Sequence, residues 1–231
     1  MVSGGGFSRE FYYYVTNDSV PYSQIIKMAS KIYGRKYCYM GFYTGYNLAK
    51  YTYILHDNAS AILLGANYIK RTLSLSNGDI VYFEGMVMIP REDMLLKDRP
   101  VIEVFEEPSI IGRADLKPVK KKISELSENT PLVEVEGDVE SSNIEYYVLR
   151  DSSGTVKVVD LTRSYRPDKG AKLRVKGVPV EVYGNIVLLS RGAEDVSEIV
   201  EGQTPGLNLL IYAILIVIVL LMIFFKGVRR K

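Results

Sequence analysis

The chain has 231 residues, 47% of them hydrophobic, and a formal net charge of +2. This length is enough for one or two domains besides a membrane segment, and the charge argues against proteins that bind nucleic acid mainly through phosphates, which are usually more basic. Cys38 and His56 are the only residues of their kinds, which excludes an intramolecular disulfide and any metal site built from several thiolates or imidazoles.

The first 34 residues are predicted to form an arm that ends in a short helix. Ser19 suits the N-cap of this helix, Pro21 suits its first turn, and Gly34 follows its end. No basic stretch followed by an apolar run precedes the helix, so we expect no secretory signal peptide. Tyrosines are concentrated before residue 54. Strand packing explains most of them, and a contact surface for a partner is the alternative.

The middle of the chain contains an internal repeat. Tyr53–Asp57 can be laid over Tyr147–Asp151, 94 residues further along. About two dozen residues later, Asn77–Gly85 matches Lys169–Gly177 in the same order. Because the order is kept and only the loop lengths drift, the chain is predicted to contain two copies of one structural unit.

The second copy, residues 131–192, is predicted to contain five strands. They are Leu132–Val139, Ile144–Arg150, Thr155–Leu161, Lys172–Val182 and Ile186–Ser190. Gly137 and Gly177 fall inside the first and fourth strands, as expected in a small closed barrel whose strands must coil. The first copy, residues 35–112, follows this pattern more loosely. The connecting segment, residues 113–130, is predicted to contain a second short helix, opened by Pro118.

The second copy also carries the motifs of a known fold. The runs Val135–Val139, Tyr147–Val156 and Gly170–Gly177 resemble an OB-fold domain, in the branch of replication protein A and the anticodon-binding domains of aminoacyl-tRNA synthetases. The resemblance implies a mainly β protein with two tandem five-stranded OB-type barrels, each preceded by a short helix. It also implies nucleic acid as the commonest ligand, although OB barrels serve as protein-binding and membrane-complex modules too.

The C-terminal part of the chain is predicted to anchor it in a membrane. An acidic stalk, residues 193–206, leads to an uncharged segment from Leu207 to Phe225, and a basic tail, residues 226–231, follows. This segment spans about 28 Å as a helix, close to the hydrocarbon thickness of about 30 Å. The residues expected to contact the bilayer are Leu207, Tyr212, Phe224, Phe225, Lys226, Arg229 and Arg230.

Two signals disagree about the side of the membrane. A single helix at the C-terminus without a signal peptide indicates a tail-anchored protein with a cytoplasmic domain. The basic tail and acidic stalk favour an external domain under the positive-inside tendency, and the triplets Asn17-Asp-Ser19 and Asn58-Ala-Ser60 are compatible with glycosylation there. We favour the cytoplasmic side, because export of a large domain without a signal is the harder step. The abundant charges and the scarcity of thermolabile residues such as glutamine are typical of a thermophile, and we expect an archaeal source.

Residues shared by both copies are predicted to build the barrel cores. These pairs are Tyr53 with Tyr147, Leu55 with Leu149, and Ile62 with Val156. OB barrels usually bind ligands on the face of strands two and three, where one aromatic ring among several cations suits a single nucleic-acid strand. The candidate nucleic-acid-binding residues are Tyr146, Arg150, Lys157, Arg163, Arg166, Lys172, Arg174 and Lys176. The second copy holds equal numbers of acidic and basic residues, so a basic patch requires their segregation in space, and a solvated face is the alternative.

The first copy offers a different surface. Its strand-four row is Ile80, Tyr82 and Glu84, and this apolar and acidic row favours packing on a protein partner. His56 is aligned with Arg150 and is expected on the barrel surface. Cys38 is predicted to be a small buried residue. With no phosphate-binding glycine loop and no nucleophile elbow, we expect neither catalysis nor a cofactor or metal.

The sequence leaves three functional hypotheses open. The leading one is a non-enzymatic, membrane-anchored interaction module that is a subunit or scaffold of a membrane-associated protein complex, with the lipid bilayer and one or more proteins as partners. The second is a membrane-tethered protein that binds single-stranded nucleic acid. The third is an extracytoplasmic assembly factor or chaperone.

Overall fold

The structure is a computed structural model that describes residues 34, 36–88, 96 and 99–199. The predicted N-terminal helix and the predicted transmembrane helix with its basic tail lie outside the described residues. In the described part of the chain, no helix is long and apolar enough to cross a membrane. The described residues up to Glu198 belong to one compact unit.

The first barrel is a closed ring of five strands. They are β1 (Lys36–Ala49), β2 (Thr52–His56), β3 (Ala61–Gly65), β4 (Asp79–Met88) and β5 (Val101–Val104). Their order is β1-β2-β3-β5-β4, and β1 pairs with β4 to close the ring. Neighbouring strands are antiparallel except β3 and β5, which are parallel. A further strand, β6 (Ser109–Arg113), pairs with β4 outside the ring.

The second barrel repeats this arrangement strand for strand. Its ring consists of β8 (Val133–Ser142), β9 (Tyr146–Arg150), β10 (Thr155–Asp160), β11 (Lys172–Val182) and β12 (Asn185–Ser190). The order β8-β9-β10-β12-β11 is closed by β11 and β8, and β10 runs parallel to β12. Two strands lie at its edges, β7 (Val119–Lys120) and β13 (Val196–Glu198). The strand order and register confirm the prediction of two tandem five-stranded OB-type barrels.

The prediction of a short helix in the connecting segment, opened by Pro118, is wrong. Val119 and Lys120 instead form β7, which runs parallel to the start of β8, and Ile123–Glu125 forms a single 3-10 turn. The apolar spacing that suggested a helix serves another purpose, because Ile123 and Leu126 pack into the core of the second barrel from this turn. The Asp151 carboxylate accepts a hydrogen bond of 2.9 Å from the backbone N–H of Ile123, which fixes the turn on the barrel.

The start of the predicted stalk is also folded. A 3-10 turn, Gly192–Glu194, is followed directly by β13, which pairs antiparallel with β11. The Asp195 carboxylate accepts hydrogen bonds from the backbone and the guanidinium of Arg191. Asp195 therefore holds this turn against the second barrel, and the part of the predicted stalk beyond residue 199 lies outside the described residues.

The residues shared by the two copies form the barrel cores, as predicted. Tyr53, Leu55 and Ile62 lie in the core of the first barrel, and their counterparts Tyr147, Leu149 and Val156 lie in the core of the second. None of these six side chains is more than 4% exposed.

The glycines inside the long strands mark close approaches between strands. A Cβ atom at Gly177 of β11 would lie 2.5 Å from the backbone oxygen of Leu189, and one at Gly137 of β8 would lie 2.5 Å from that of Arg150. In the first barrel, a Cβ atom at Gly85 would lie 2.5 Å from a side-chain carbon of Ile102. These close approaches leave no room for a side chain, which explains why these three positions are glycine.

Candidate interaction surfaces

The strand-two and strand-three face of the first barrel is closed by the second barrel. Ile54 of β2 and Leu63 of β3 point away from their own core and are fully buried. They belong to a third apolar cluster that also contains Val159, Val178 and Leu189 of the second barrel. The face that OB barrels commonly use for ligands is therefore part of the contact between the barrels.

A buried ion pair lies beside this contact. Arg99, which precedes β5, pairs with Glu128 of the connecting segment at 2.6 Å, and their side chains are 4% and 11% exposed. The Arg99 guanidinium also donates to the backbone oxygens of Ala61 and Glu181, at 3.1 and 3.0 Å. Burial raises the pKa of Glu128, against the opposing effect of Arg99. One guanidinium thus joins the first barrel, the connecting segment and the second barrel.

His56 lies within the same network, and the prediction that it lies on the surface is wrong. Its side chain is fully buried. The ring Nε2 lies 2.6 Å from the backbone oxygen of Glu128, and Nδ1 accepts a hydrogen bond of 2.8 Å from the N–H of Asn58. The alignment with Arg150 is correct, but the connecting segment covers this position in the first barrel and leaves it open in the second.

The triplet at Asn58 is also affected by this packing. The side-chain nitrogen of Asn58 is buried and has no hydrogen-bond partner within the described structure. The neighbouring Asp57 carboxylate accepts hydrogen bonds from the backbone of Ala59 and Ser60, which holds the turn in place. The folded chain therefore does not present this asparagine as an accessible glycosylation acceptor.

A second polar network borders the contact between the barrels. The guanidinium of Arg191 lies 4.8 Å from the ring centroid of Tyr46 of the first barrel, and it pairs with Asp195 at 2.7 Å. Burial raises the pKa of Tyr46 well above its ordinary value. The apolar contact is therefore bordered by two networks that each contain an arginine paired with a buried carboxylate.

The equivalent face of the second barrel is open. We call it the open face, and it consists of outward side chains of β9 and β10: Tyr146, Val148, Arg150, Thr155 and Lys157. The Lys157 ammonium lies 3.8 Å from the ring centroid of Tyr146, a favourable cation–π geometry. Arg150 forms a salt bridge with Glu140 of β8. Tyr146 is half-buried, because it also packs against the cluster between the barrels.

The cations predicted on strand four of the second barrel, β11, lie opposite carboxylates of β8, the strand that pairs with it in the sheet. The register places Lys172, Arg174 and Lys176 of β11 directly opposite Asp138, Glu136 and Glu134 of β8. The Arg174 guanidinium lies 2.8 Å from Glu136 and 3.5 Å from Glu134. Lys120 also binds Glu136 at 2.9 Å, and hydrogen bonds from these cations hold the pKa of Glu136 below its ordinary value. The three β11 cations and the three β8 carboxylates of this ladder balance in charge.

The eight predicted nucleic-acid-binding residues do not share one surface. Strand β8 separates the β11 row from the open face, because β8 lies between β9 and β11 in the ring. Arg163 and Arg166 are exposed in the loop between β10 and β11, and they form no salt bridge with any described residue. Tyr146, Arg150 and Lys157 are the members that the structure brings together.

Two exposed apolar side chains flank the open face and were missed by sequence reasoning. Ile144, in the loop between β8 and β9, is 79% exposed, and Tyr183, in the turn between β11 and β12, is 64% exposed. These loops, after the first and fourth strands of the ring, are the ones that flank the ligand face of OB barrels. At Ile144, an apolar residue between the polar neighbours Asn143 and Glu145 was the available signal.

The strand-four row of the first barrel lies beside a shallow pocket of about 220 Å³. Tyr82 and Glu84 line it together with Phe105, whereas Ile80 contacts β6. The Lys36 ammonium pairs with Glu84 at 3.5 Å and lies 5.6 Å from the ring centroid of Phe105.

Cys38, predicted to be buried, is partly exposed, and its hydrogen bond raises the pKa of Tyr82. No cluster of metal-ligating side chains is found among the described residues.

No family model and no curated protein matches this chain. Among solved structures, the p204 HINb domain is similar at 15% identity, with 64% of this chain and 84% of that chain covered and a TM-score of 0.31. The tetrameric p202 HIN2 domain is 14% identical over 71% of this chain and 93% of that chain, with a TM-score of 0.31. A deletion mutant of the single-stranded DNA binding protein from Thermus aquaticus is 11% identical over 74% and 96%, with a TM-score of 0.25. The OB-type assignment rests on the strand order and register of this chain.

Proposed function

We propose that this chain is a non-enzymatic, membrane-anchored scaffold that binds a protein partner through the open face and flanking loops of its second barrel. The observation that carries the proposal is the charge pairing on the second barrel. Arg174 and Arg150, two of the cations that were candidates for phosphate contacts, form salt bridges with carboxylates of β8. Backbone binding of nucleic acid depends on cations that are available to phosphates.

The remaining surface has the chemistry of a protein interface. Aromatic and apolar anchors surrounded by paired charges are typical of the centre of such interfaces. Ile144, Tyr146 and Tyr183 supply the anchors, and Arg150 with Glu140 supplies a paired charge. The contact between the barrels also holds one of these anchors in place, because the Tyr146 side chain packs against the apolar cluster between the barrels.

The membrane part of the proposal is supported by the uncharged segment from Leu207 to Phe225. We place the barrels on the cytoplasmic side. Protease treatment of intact cells and of inverted vesicles tests this placement. Cleavage of the barrels only in inverted vesicles supports it, and cleavage in intact cells contradicts it.

The partner is tested by purification of the full chain from membranes in a mild detergent, followed by mass spectrometry. Ile144→Asp combined with Tyr183→Asp is expected to remove the partner, because it places charges at both anchors. Val119→Asp is the matched control, since Val119 is 49% exposed on β7. A partner retained by both variants, or a wild-type chain that is always purified alone, contradicts the proposal.

A second candidate function is binding of single-stranded nucleic acid. It is favoured by the Lys157 ammonium over the ring of Tyr146, and Arg163 and Arg166 are exposed cations in the loop that follows β10. Fluorescence anisotropy with labelled single strands at low salt tests it. Tight binding that Lys157→Glu abolishes would replace the proposed function with this one.

A further inference from the structure

Strand β6 leaves an apolar edge of the first barrel uncovered. It pairs with β4 and with no other described strand, so one backbone edge has no partner in the described structure. Ile110 and Ile111 are 52% and 51% exposed. Successive side chains of a strand point to opposite faces, so both faces of β6 are exposed. Natural proteins usually protect such edges with charges, prolines or a covering element.

The second barrel shows that the fold itself does not require these isoleucines. Strand β13 pairs with β11 in the way that β6 pairs with β4. It carries Ser197 and Glu198, which are polar and exposed. The same position is therefore occupied by a polar strand in one barrel and by an apolar strand in the other.

We propose that β6 is a homodimer interface, in which the β6 strands of two copies pair antiparallel across a two-fold axis at Ile110. This register is self-complementary. Glu107 and Arg113 lie three residues before and after Ile110, so each Glu107 lies opposite the Arg113 of the second copy. In an isologous interface this pairing occurs twice.

The surroundings of the edge fit a second copy. The side chains of Glu107 and Arg113 are 53% and 64% exposed, which leaves both accessible beside their own partners Arg71 and Asp79. Phe105 lines the same pocket as Ser109, the first residue of β6. The ring of Tyr68 packs against the ring of Phe105, with centroids 4.7 Å apart. These exposed rings extend the apolar surface beside β6. A stable dimer buries more surface than one strand pair supplies, and the rings offer this additional area.

Disulfide cross-linking of the full chain in membranes tests the two-fold axis. In a Cys38→Ser background, Ile110→Cys is expected to give a cross-linked dimer under mild oxidation, because a residue on the axis faces its own copy. Val119→Cys is the matched control, since Val119 is exposed to a similar extent, 49%, and lies on β7 of the other barrel. Equal cross-linking at both positions, or none at position 110, overturns the proposal.

A charge exchange tests the register. Arg113→Glu alone is expected to abolish the dimer, since each new glutamate would face Glu107 of the other copy. Glu107→Arg combined with Arg113→Glu restores opposite charges and is expected to restore the dimer. Light scattering of the full chain in detergent measures the change, and circular dichroism checks that the variants are folded. A folded wild-type chain that is monomeric at every concentration, or a folded double variant that stays monomeric, overturns the proposal.

Discussion

At the scale of single residues, His56 shows how hydrogen bonds fix a protonation state. A backbone carbonyl only accepts, so Nε2 must carry the proton that is donated to Glu128. A backbone N–H only donates, so Nδ1 must be unprotonated to accept from Asn58. Burial lowers the pKa of His56 and outweighs the raising effects of the Glu128 carbonyl and the Asp57 charge. The folded protein therefore holds this ring neutral.

This state predicts a pH dependence of stability. The folded chain excludes a proton that the unfolded chain binds below about pH 6.5, so the contribution of His56 is complete above that pH and is lost as the pH falls towards its lowered pKa. The ring resonances of this single histidine, followed by NMR, are expected to titrate below the ordinary value. A titration at or above that value contradicts the prediction.

His56→Gln is the matched variant for unfolding measurements, since its amide keeps a donor for the Glu128 carbonyl. Wild type is expected to have the higher unfolding free energy at pH 7, and this difference from the variant is expected to shrink as the pH falls to 5. The raised pKa of Glu128 acts in the opposite direction at lower pH, and it is common to both proteins.

At the scale of strands, each barrel depends on glycines where two strands come too close for a side chain. Gly177→Ala is expected to destabilise the chain by about 1–3 kcal/mol, because overpacking forces the backbone to shift. Gly154→Ala is the control, since its Cβ atom would lie at an ordinary 3.6 Å from Ile123. Chemical denaturation measures both, and equal effects would contradict the proposed close approach.

The paired strands β8 and β11 decide how much positive charge the second barrel offers. Glu134→Gln combined with Glu136→Gln frees Arg174 from both carboxylates. This variant is expected to bind labelled single-stranded DNA more tightly than wild type, with a steeper salt dependence.

The control for this experiment is Glu84→Gln combined with Glu106→Gln, which removes the same charge from the first barrel. Anisotropy titrations compare the three proteins. If the control gains as much affinity as the β8 variant, net charge rather than the ladder decides the binding.

At the scale of the whole molecule, the two barrels act as one body because their contact is both apolar and ionic. Removal of one member of a buried ion pair leaves the other charged and desolvated. Arg99→Ala is therefore expected to cost about 3–5 kcal/mol in unfolding free energy. Lys117→Ala, in the exposed pair with Asp115, is expected to change nothing measurable. A small effect of Arg99→Ala in denaturant titrations would show that the apolar cluster alone holds the barrels together.

The sequence by itself determined the barrels. The repeat, the alternation of apolar residues and the glycines inside long strands are local signals, and they identified the five strands of the second copy and the core pairs such as Tyr53 with Tyr147. Local signals failed at Pro118, where apolar spacing suited a helix but pairing with β8 produced a strand and a turn. The thermophilic, archaeal source and the membrane anchor remain predictions from composition and hydropathy.

Only the tertiary structure decided which outward surfaces are available. Alternation along a strand tells which way a side chain points, but not what lies opposite it. Ile54 and His56 point outward and are buried because the second barrel and the connecting segment cover them. Arg174 points outward and is paired because strand register places Glu136 beside it. Contacts between segments far apart in the chain depend on closure and docking, and no local pattern encodes them.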